Sequence, residues 1–241
     1  MRTITPVFKR EFLGYFRAPV AYVFLIAFLV ISVSLAFSRF GRFFEDGEAS
    51  LRDYFMFYPW LFLFLVPAVG MRLWSEEKRS GTVELLFTLP LTTLDAVIGK
   101  FLAAWAFLAL AVVLSFPMAV TIGYLGHPDW GIVVTTYLGA ILMAGGYLGV
   151  CSLMSALTRS QVISFVLSLV VCAAIMFLGL SGFTSFLEGA LPLPVADAIA
   201  NFSFITHFDA FTKGIIDPKD VVYFASFMGF TLFLNVVVLE R

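Results

Sequence analysis

Six long stretches without a charged side chain or a histidine dominate this 241-residue sequence. A helix of about 20 residues crosses the roughly 30 Å hydrocarbon core of a bilayer, and these stretches have 18 to 29 residues each. They are 18–38, 54–71, 101–126, 130–158, 160–187 and 221–239. The sequence therefore predicts an all-α membrane protein with six transmembrane helices.

The composition excludes a water-soluble enzyme. Hydrophobic residues make up 61% of the chain and charged residues 13%, whereas soluble domains have about 45–50% and 25%. The mean hydropathy is +1.00. A net charge of -1 without a basic stripe predicts no nucleic-acid partner. Cys151 and Cys172 lie within apolar runs, and we expect them to be reduced packing residues.

The basic residues predict an orientation. If the N-terminus is cytoplasmic, ten of the 15 lysines and arginines fall on the cytoplasmic side and five outside. Cytoplasmic segments of membrane proteins carry the excess of lysine and arginine. We therefore expect both termini to be cytoplasmic.

The six stretches lack the residues that intramembrane chemistry requires. Proton relays and ion-coupled transporters need ionisable side chains within the membrane, and none lies in a predicted span. The sequence also lacks H-E-x-x-H, G-x-S-x-G and nucleotide-binding G-x-x-x-x-G-K-[ST] motifs. We expect no catalytic residue and no metal site in this chain, so a transport function requires energy from a separate partner.

Two segments outside the spans have helical periodicity. Residues 3–17 place Ile4, Phe8 and Phe12 on one face, which predicts an amphipathic helix in the cytoplasmic interface; the alternative is a plain basic flank. The stretch 183–220 is predicted as an outer helical segment, because Phe204, Phe208 and Phe211 follow helical spacing.

The third informative segment, 74–95, lies in a cytoplasmic loop. Thr82 is expected to begin a short helix that ends near Leu89, before Pro90. Thr92 and Asp95 form a variant of the capping box that opens the helix of the third span. Apolar residues and the carboxylates of this segment suit docking into a groove of a soluble partner; a solvated loop is the alternative.

The motif E-E-x-x-x-G-T-x-E-x-L-x-x-x-P runs from Glu76 to Pro90. It resembles the coupling segment of type-2 ATP-binding-cassette (ABC) transporter permeases, and the resemblance extends over the whole chain. The stretches 9–12 with 19–23, and 207–211 with 214–217, are similar to the gliding-motility-associated branch of that family.

This resemblance implies a function. Two permease subunits, identical or paralogous, pair in the bacterial inner membrane, and each coupling helix sits on a cytoplasmic ATPase dimer that binds ATP and Mg²⁺. This chain would be no enzyme and would hold no cofactor. The coupling residues that the resemblance implies are Glu76, Glu77, Gly81, Thr82, Glu84 and Leu85. Glycine tolerates φ > 0, so Gly81 permits a turn before the helix.

Several alternatives stay open at this stage. The complex exports a substrate, or it transmits force to an extracytoplasmic accessory protein without moving one. In the second case, the docking residues would lie in the outer segment: His207, Phe208, Asp209 and Phe211. A channel or scaffold without an ATPase is a third reading. Gly145 and Gly149 form a G-x-x-x-G that favours close helix packing, within the chain or between subunits.

Overall fold

A computed structural model describes residues 4–36, 51–82, 92–125 and 129–240. These residues form helices joined by short connections, and no strand occurs among them. The helices are α1 (Ile4–Arg17), α2 (Pro19–Ala36), α3 (Leu51–Met56), α4 (Tyr58–Gly70), α5 (Arg72–Ser80), α6 (Thr93–Leu114), α7 (Phe116–Leu125), α8 (Trp130–Leu157), α9 (Gln161–Phe177), α10 (Ser181–Ala190), α11 (Leu193–Ala200), α12 (Phe204–Thr212) and α13 (Pro218–Leu239). The predicted all-α class is confirmed.

Three helical stretches in the described part of the chain are long and apolar enough to cross a membrane: Thr93–Thr121, Trp130–Leu157 and Pro218–Leu239. Two bent pairs raise the number to five if each pair counts as one span. The remaining predicted span, 54–71, is second along the chain. It is divided between α3 and α4, which meet at Phe57. Helix α4 has 13 residues, too few to cross a bilayer alone, so the count of six stays a prediction.

The bent pairs mark changes of direction along the chain. Helix α1 coincides with the predicted amphipathic segment, and the stretches Ile4–Arg17 and Ala21–Leu35 meet at 72°. Helices α9 and α10 meet at 64°, within the predicted span 160–187. Helices α10 to α12 account for most of the predicted outer segment, 183–220.

Two buried ionisable residues lie in helices α6 and α13, ahead of the stretches predicted as spans. Helix α6 begins at Thr93, because the Thr92 hydroxyl accepts a hydrogen bond from the Asp95 backbone N–H at 3.1 Å. Lys100 therefore lies within α6, and it is buried. Helix α13 begins before the predicted stretch and contains buried Asp220. Each helix therefore begins before its predicted span and includes one buried ionisable residue next to it, while 101–126 and 221–239 themselves contain none.

Helix α8 is the centre of the fold. It packs against α4, α5, α6, α9, α12 and α13. A Cβ atom added to Gly145 would lie 2.5 Å from the Met228 sulfur, and one added to Gly149 would lie 2.3 Å from the Thr231 hydroxyl. The G-x-x-x-G pair thus packs α8 against α13 within the chain. Cys151, also on α8, is buried and unbridged, as is Cys172 on α9.

The opposite end of α8 holds the outer segment. A Cβ atom on Gly139 would lie 2.6 Å from both Cβ and Cγ of Phe211. The hydroxyls of Thr135 and Thr136 donate hydrogen bonds to the Phe211 carbonyl at 3.0 and 3.1 Å. Helix α12 is therefore fixed to α8 by backbone proximity and by two hydrogen bonds.

We predict that Gly139→Ala destabilises the protein by about 1–3 kcal/mol, because the new methyl overlaps atoms close to the Phe211 backbone. Thermal unfolding of the purified protein in detergent measures the change. Gly229→Ala is the matched control, since a Cβ there meets nothing within 4 Å and alanine favours helix by about 0.5–1 kcal/mol. Equal unfolding temperatures for the two variants would contradict the close approach of α8 and α12.

Candidate functional site

The start of α5 is capped by a serine from α8. Met71, the N-cap residue, provides no side-chain hydrogen bond, although the first backbone N–H groups of a helix lack intrahelical partners. The Ser155 hydroxyl accepts hydrogen bonds from the backbone N–H groups of Trp74 and Ser75, both at 3.0 Å. It also donates to the Met71 carbonyl at 2.8 Å. One hydroxyl thus fixes the start of α5 to the centre of the fold.

A buried lysine joins α5 to two other helices. The Lys100 ammonium on α6 lies 2.6 Å from a Glu77 carboxylate oxygen and 3.7 Å from a Glu11 carboxylate oxygen on α1. It donates to the Leu73 carbonyl at 3.2 Å and lies 5.1 Å from the centre of the Trp74 ring. A buried charge requires such compensation, so these contacts hold α1, α5 and α6 together.

The far end of α5 contacts the end of α8. The Lys78 ammonium donates a hydrogen bond to the Ala156 carbonyl, in the last turn of α8. Carbonyls at a helix C-terminus lack intrahelical donors and attract cations. Burial of Lys78, and then the nearby positive charge of Arg159, lower the pKa of Lys78.

The predicted coupling residues occupy this helix and its end. Glu77 is paired with Lys100, and Glu76 with Arg72 at 3.0 Å on the exposed side of α5. Gly81 ends α5 with φ 71°, so the predicted left-handed turn is present. The Thr82 hydroxyl lies 2.9 Å from that of Ser80. Glu84 and Leu85 lie outside the described residues, as does most of the predicted 82–89 helix.

The two glutamates differ from the expectation of free carboxylates facing a partner. Both form ion pairs within the chain, and the Glu77 side chain is 21% exposed, against 50% for Glu76. The described geometry therefore gives Glu77 a role in holding α5 in place. Glu76 remains the more accessible of the two.

The predicted outer docking residues divide into buried and exposed groups. Phe208 and Phe211 are buried, so they pack the fold and offer no surface to a partner. His207 lies 2.6 Å from the Asp220 carboxylate and 2.7 Å from the Asn201 carbonyl, and its ring stacks on Tyr223 at 3.8 Å. The carbonyl can only accept, so Nε2 donates to it.

Asp209 is the exposed member of the outer group. It pairs with Lys213, the C-cap residue of α12, as its sequence spacing predicts. Such an exposed pair contributes at most about 1 kcal/mol to the free energy of unfolding. Among the four predicted outer residues, Asp209 is therefore the one whose charge lies at the surface.

A chain of hydroxyl groups, which the sequence does not reveal, crosses the interior. The Tyr54 hydroxyl lies 3.3 Å from that of Ser32 and 3.0 Å from that of Tyr58. The Ser115 hydroxyl lies 2.9 Å from that of Tyr58 and 3.1 Å from that of Tyr137. These bonds satisfy buried polar groups and connect α2, α3, α4 and α8 through the break between α6 and α7.

Sequence reasoning missed α5 itself, because a run rich in charged residues was interpreted as loop. One available signal was the apolar pair Leu73 and Trp74 ahead of the charges, which are both buried. No local signal marks Ser155, since its bonding partners lie about 80 residues away.

A comparison with protein-family models and with curated proteins found no match.

We predict that Ser155→Ala destabilises the protein by about 1–2 kcal/mol, because α5 loses its cap and buried backbone groups lose a partner. For a chain of this length, each kcal/mol lowers the unfolding temperature by about 2–4 °C. Ser226→Ala is the control, since the Ser226 hydroxyl is exposed and bonds only within its own helix turn. If both variants unfold at the same temperature, Ser155 does not cap α5.

We also predict a large difference between two lysines. Lys100→Met leaves the Glu77 carboxylate uncompensated and should cost about 3–5 kcal/mol, whereas Lys213→Met breaks an exposed pair and should cost at most about 1 kcal/mol. Thermal unfolding measures both variants. The double variant Lys100→Met with Glu77→Gln should recover part of the loss; no recovery would contradict direct coupling between the two charges.

Proposed function

We propose that this chain is the permease subunit of a type-2 ABC transporter that exports a substrate across or out of the bacterial inner membrane. A separate cytoplasmic ATPase dimer supplies the energy, and a second permease subunit, identical or paralogous, completes the transmembrane part. The proposal rests on the motif that begins at Glu76 and on the placement of α5.

The placement of α5 is the observation that carries the proposal. The predicted coupling segment, 74–95, begins within α5 and ends in the first turn of α6. Helix α5 is bonded to α8 through Ser155 and Lys78, and to α6 and α1 through Lys100. A displacement of the coupling segment would therefore reach the central helix directly, which is what a permease without its own nucleotide site requires.

The course of α3 and α4 supports six spans. Tyr58, at the start of α4, contacts Ser115 at one end of α6, and Leu73, just after α4, contacts Lys100 near the other end. Lys100 and Ser115, the C-cap residue of α6, are separated by about 22 Å of helix at 1.5 Å per residue. The chain between α3 and α5 thus runs alongside α6 over most of a hydrocarbon core.

Two contacts support the proposed orientation. Val7 of α1 packs against Gly99, and the Asn235 amide near the end of α13 donates to the Ser152 hydroxyl at 2.6 Å. Gly99 and Ser152 both lie at the end of the molecule that carries α5. Both terminal helices therefore meet the α5 end, which agrees with two cytoplasmic termini.

We predict that Glu84→Lys and Gly81→Pro weaken docking of the ATPase or uncouple ATP hydrolysis from transport. Glu84→Lys reverses a charge within the coupling motif, and proline cannot adopt φ > 0 at Gly81. The measurement is co-purification of the tagged protein from native membranes, with every accompanying chain identified, followed by ATPase assay of the complex.

Glu188→Lys is the matched control for the charge reversal, because Glu188 is exposed on α10, at the other end of the molecule. It should leave ATPase co-purification and activity unchanged. Unchanged docking and hydrolysis in both coupling variants, or no ATPase among the accompanying chains, would contradict the assignment of the coupling segment.

The second candidate function is a mechanical transmitter that couples ATP hydrolysis to an extracytoplasmic accessory protein without moving a substrate. Helices α10 and α11 favour it, because they expose large apolar side chains, among them Phe186 and Leu193. Contiguous exposed apolar surface is typical of interaction sites. Two results together would favour this function over export. One is an accessory chain in the purified complex that is lost in the double variant Phe186→Ser with Leu193→Ser. The other is the absence of a continuous cavity between the subunits of that complex.

A further inference from the structure

Two cavities adjoin at the end of α1, one extending along α2 and α4 and the other between α1, α5 and α6. The first has a volume of about 220 Å³ and is almost wholly apolar. The second has a volume of about 230 Å³ and is lined by charged residues. Tyr15, Ala18 and Arg72 line both cavities. We call the first the apolar chamber and the second the polar chamber; together they reach the size of about 300–1,000 Å³ that is usual for ligand sites.

The apolar chamber opens sideways from the helices. Ala21, Ala27 and Ala68 line it together with larger residues such as Phe24 and Phe107, and the small alanines create the space. Val23, on the same wall, is 65% exposed. The chamber therefore faces the surroundings of α2, and an apolar chain from a bilayer could enter it without crossing the protein.

The polar chamber contains charges of both signs. Arg72 and Lys100 provide the cations, and Glu11 and Glu76 provide the anions. The guanidinium has five N–H donors, and the contacts with Glu76 involve two of its nitrogens, so Arg72 retains donors that suit a phosphate. Lys100 is already held by Glu77 and Leu73, and the Glu11 oxygen that lies 3.7 Å from Lys100 is also paired with Arg10 at 2.7 Å.

The order of the chambers matches the order of groups in a lipid. Helix α1, which lines the polar chamber, turns by 72° from the apolar stretch Ala21–Leu35 that lines the apolar chamber. An amphipathic helix lies at the level of the headgroups, and an apolar one lies among the acyl chains. A polar chamber beside α1 and an apolar chamber along α2 therefore lie at the depths of a headgroup and of its chain.

We infer that these chambers bind one zwitterionic phospholipid with an amine headgroup, such as phosphatidylethanolamine. One acyl chain fills the apolar chamber, the phosphate binds Arg72, and the ammonium binds the carboxylates of Glu11 and Glu76. A zwitterionic headgroup matches the polar chamber, because the two cations that line it, Arg72 and Lys100, are balanced by the two carboxylates of Glu11 and Glu76. A lipid with net negative charge fits less well, since Lys100 is also paired with Glu77 and the chamber has no excess positive charge. The inference is about lipid binding, and it does not rest on the proposed transport function.

The test uses a glycine in the wall of the polar chamber. Gly14 lines the chamber, and a Cβ atom added to it meets nothing within 4 Å, so Gly14→Leu adds an apolar side chain to this wall from a position with open space. Gly229→Leu is the matched control, because Gly229 is exposed on α13 and also has open space. Each full-length variant is reconstituted into bilayers with equal amounts of phosphatidylethanolamine and phosphatidylglycerol of the same acyl chains.

Bound lipid is then identified by native mass spectrometry after release in mild detergent. The wild type and Gly229→Leu should retain one phosphatidylethanolamine, and Gly14→Leu should retain it with about tenfold lower affinity, a loss of about 1.4 kcal/mol. Arg72→Gln should weaken retention similarly; it breaks only an exposed ion pair, so it serves if Gly14→Leu does not fold. Equal retention by all variants, preference for phosphatidylglycerol, or no retained lipid in the wild type would overturn the inference.

Discussion

The close approach of helix backbones along α8 is the constraint on which the rest of the structure depends. Between helices in lipid, association comes from tight van der Waals contact and hydrogen bonds, because lipid tails are as apolar as the side chains they would replace. Gly139, Gly145 and Gly149 leave no room for a side chain opposite α12 and α13. Thr135, Ser152 and Ser155 on the same helix provide hydroxyls for the neighbours.

This arrangement gives the two ends of α8 different tasks. At one end, the threonines and Gly139 hold α12, whose phenylalanines pack inward. At the other end, Ser155 and the Ala156 carbonyl hold α5, which contains the beginning of the proposed coupling segment. A rigid central helix between the two ends suits a protein proposed to convey motion from a cytoplasmic partner to its membrane helices.

Local sequence signals predicted the local features. Uncharged stretches located most of the long helices, helical periodicity located α1 and α12, the Thr92 and Asp95 pair located the start of α6, and Gly81 located a left-handed turn. Long-range features escaped because their partners are distant in sequence: Lys100 is compensated by Glu77 and by Glu11, and Ser155 caps a helix about 80 residues away. Burial of Phe208 and Phe211 likewise depends on α8, which the spacing of phenylalanines alone does not identify.

The shared hydroxyl of Ser155 has a consequence for how α5 can move. Three backbone groups of α5 and its N-cap bond to a single atom, so a shift of α5 away from Ser155 disturbs all three bonds. Packed interfaces change between discrete arrangements and do not deform continuously. Helix α5 should therefore occupy one of two states: bonded to Ser155 of α8, or displaced from it with two N–H groups and one carbonyl left without this partner.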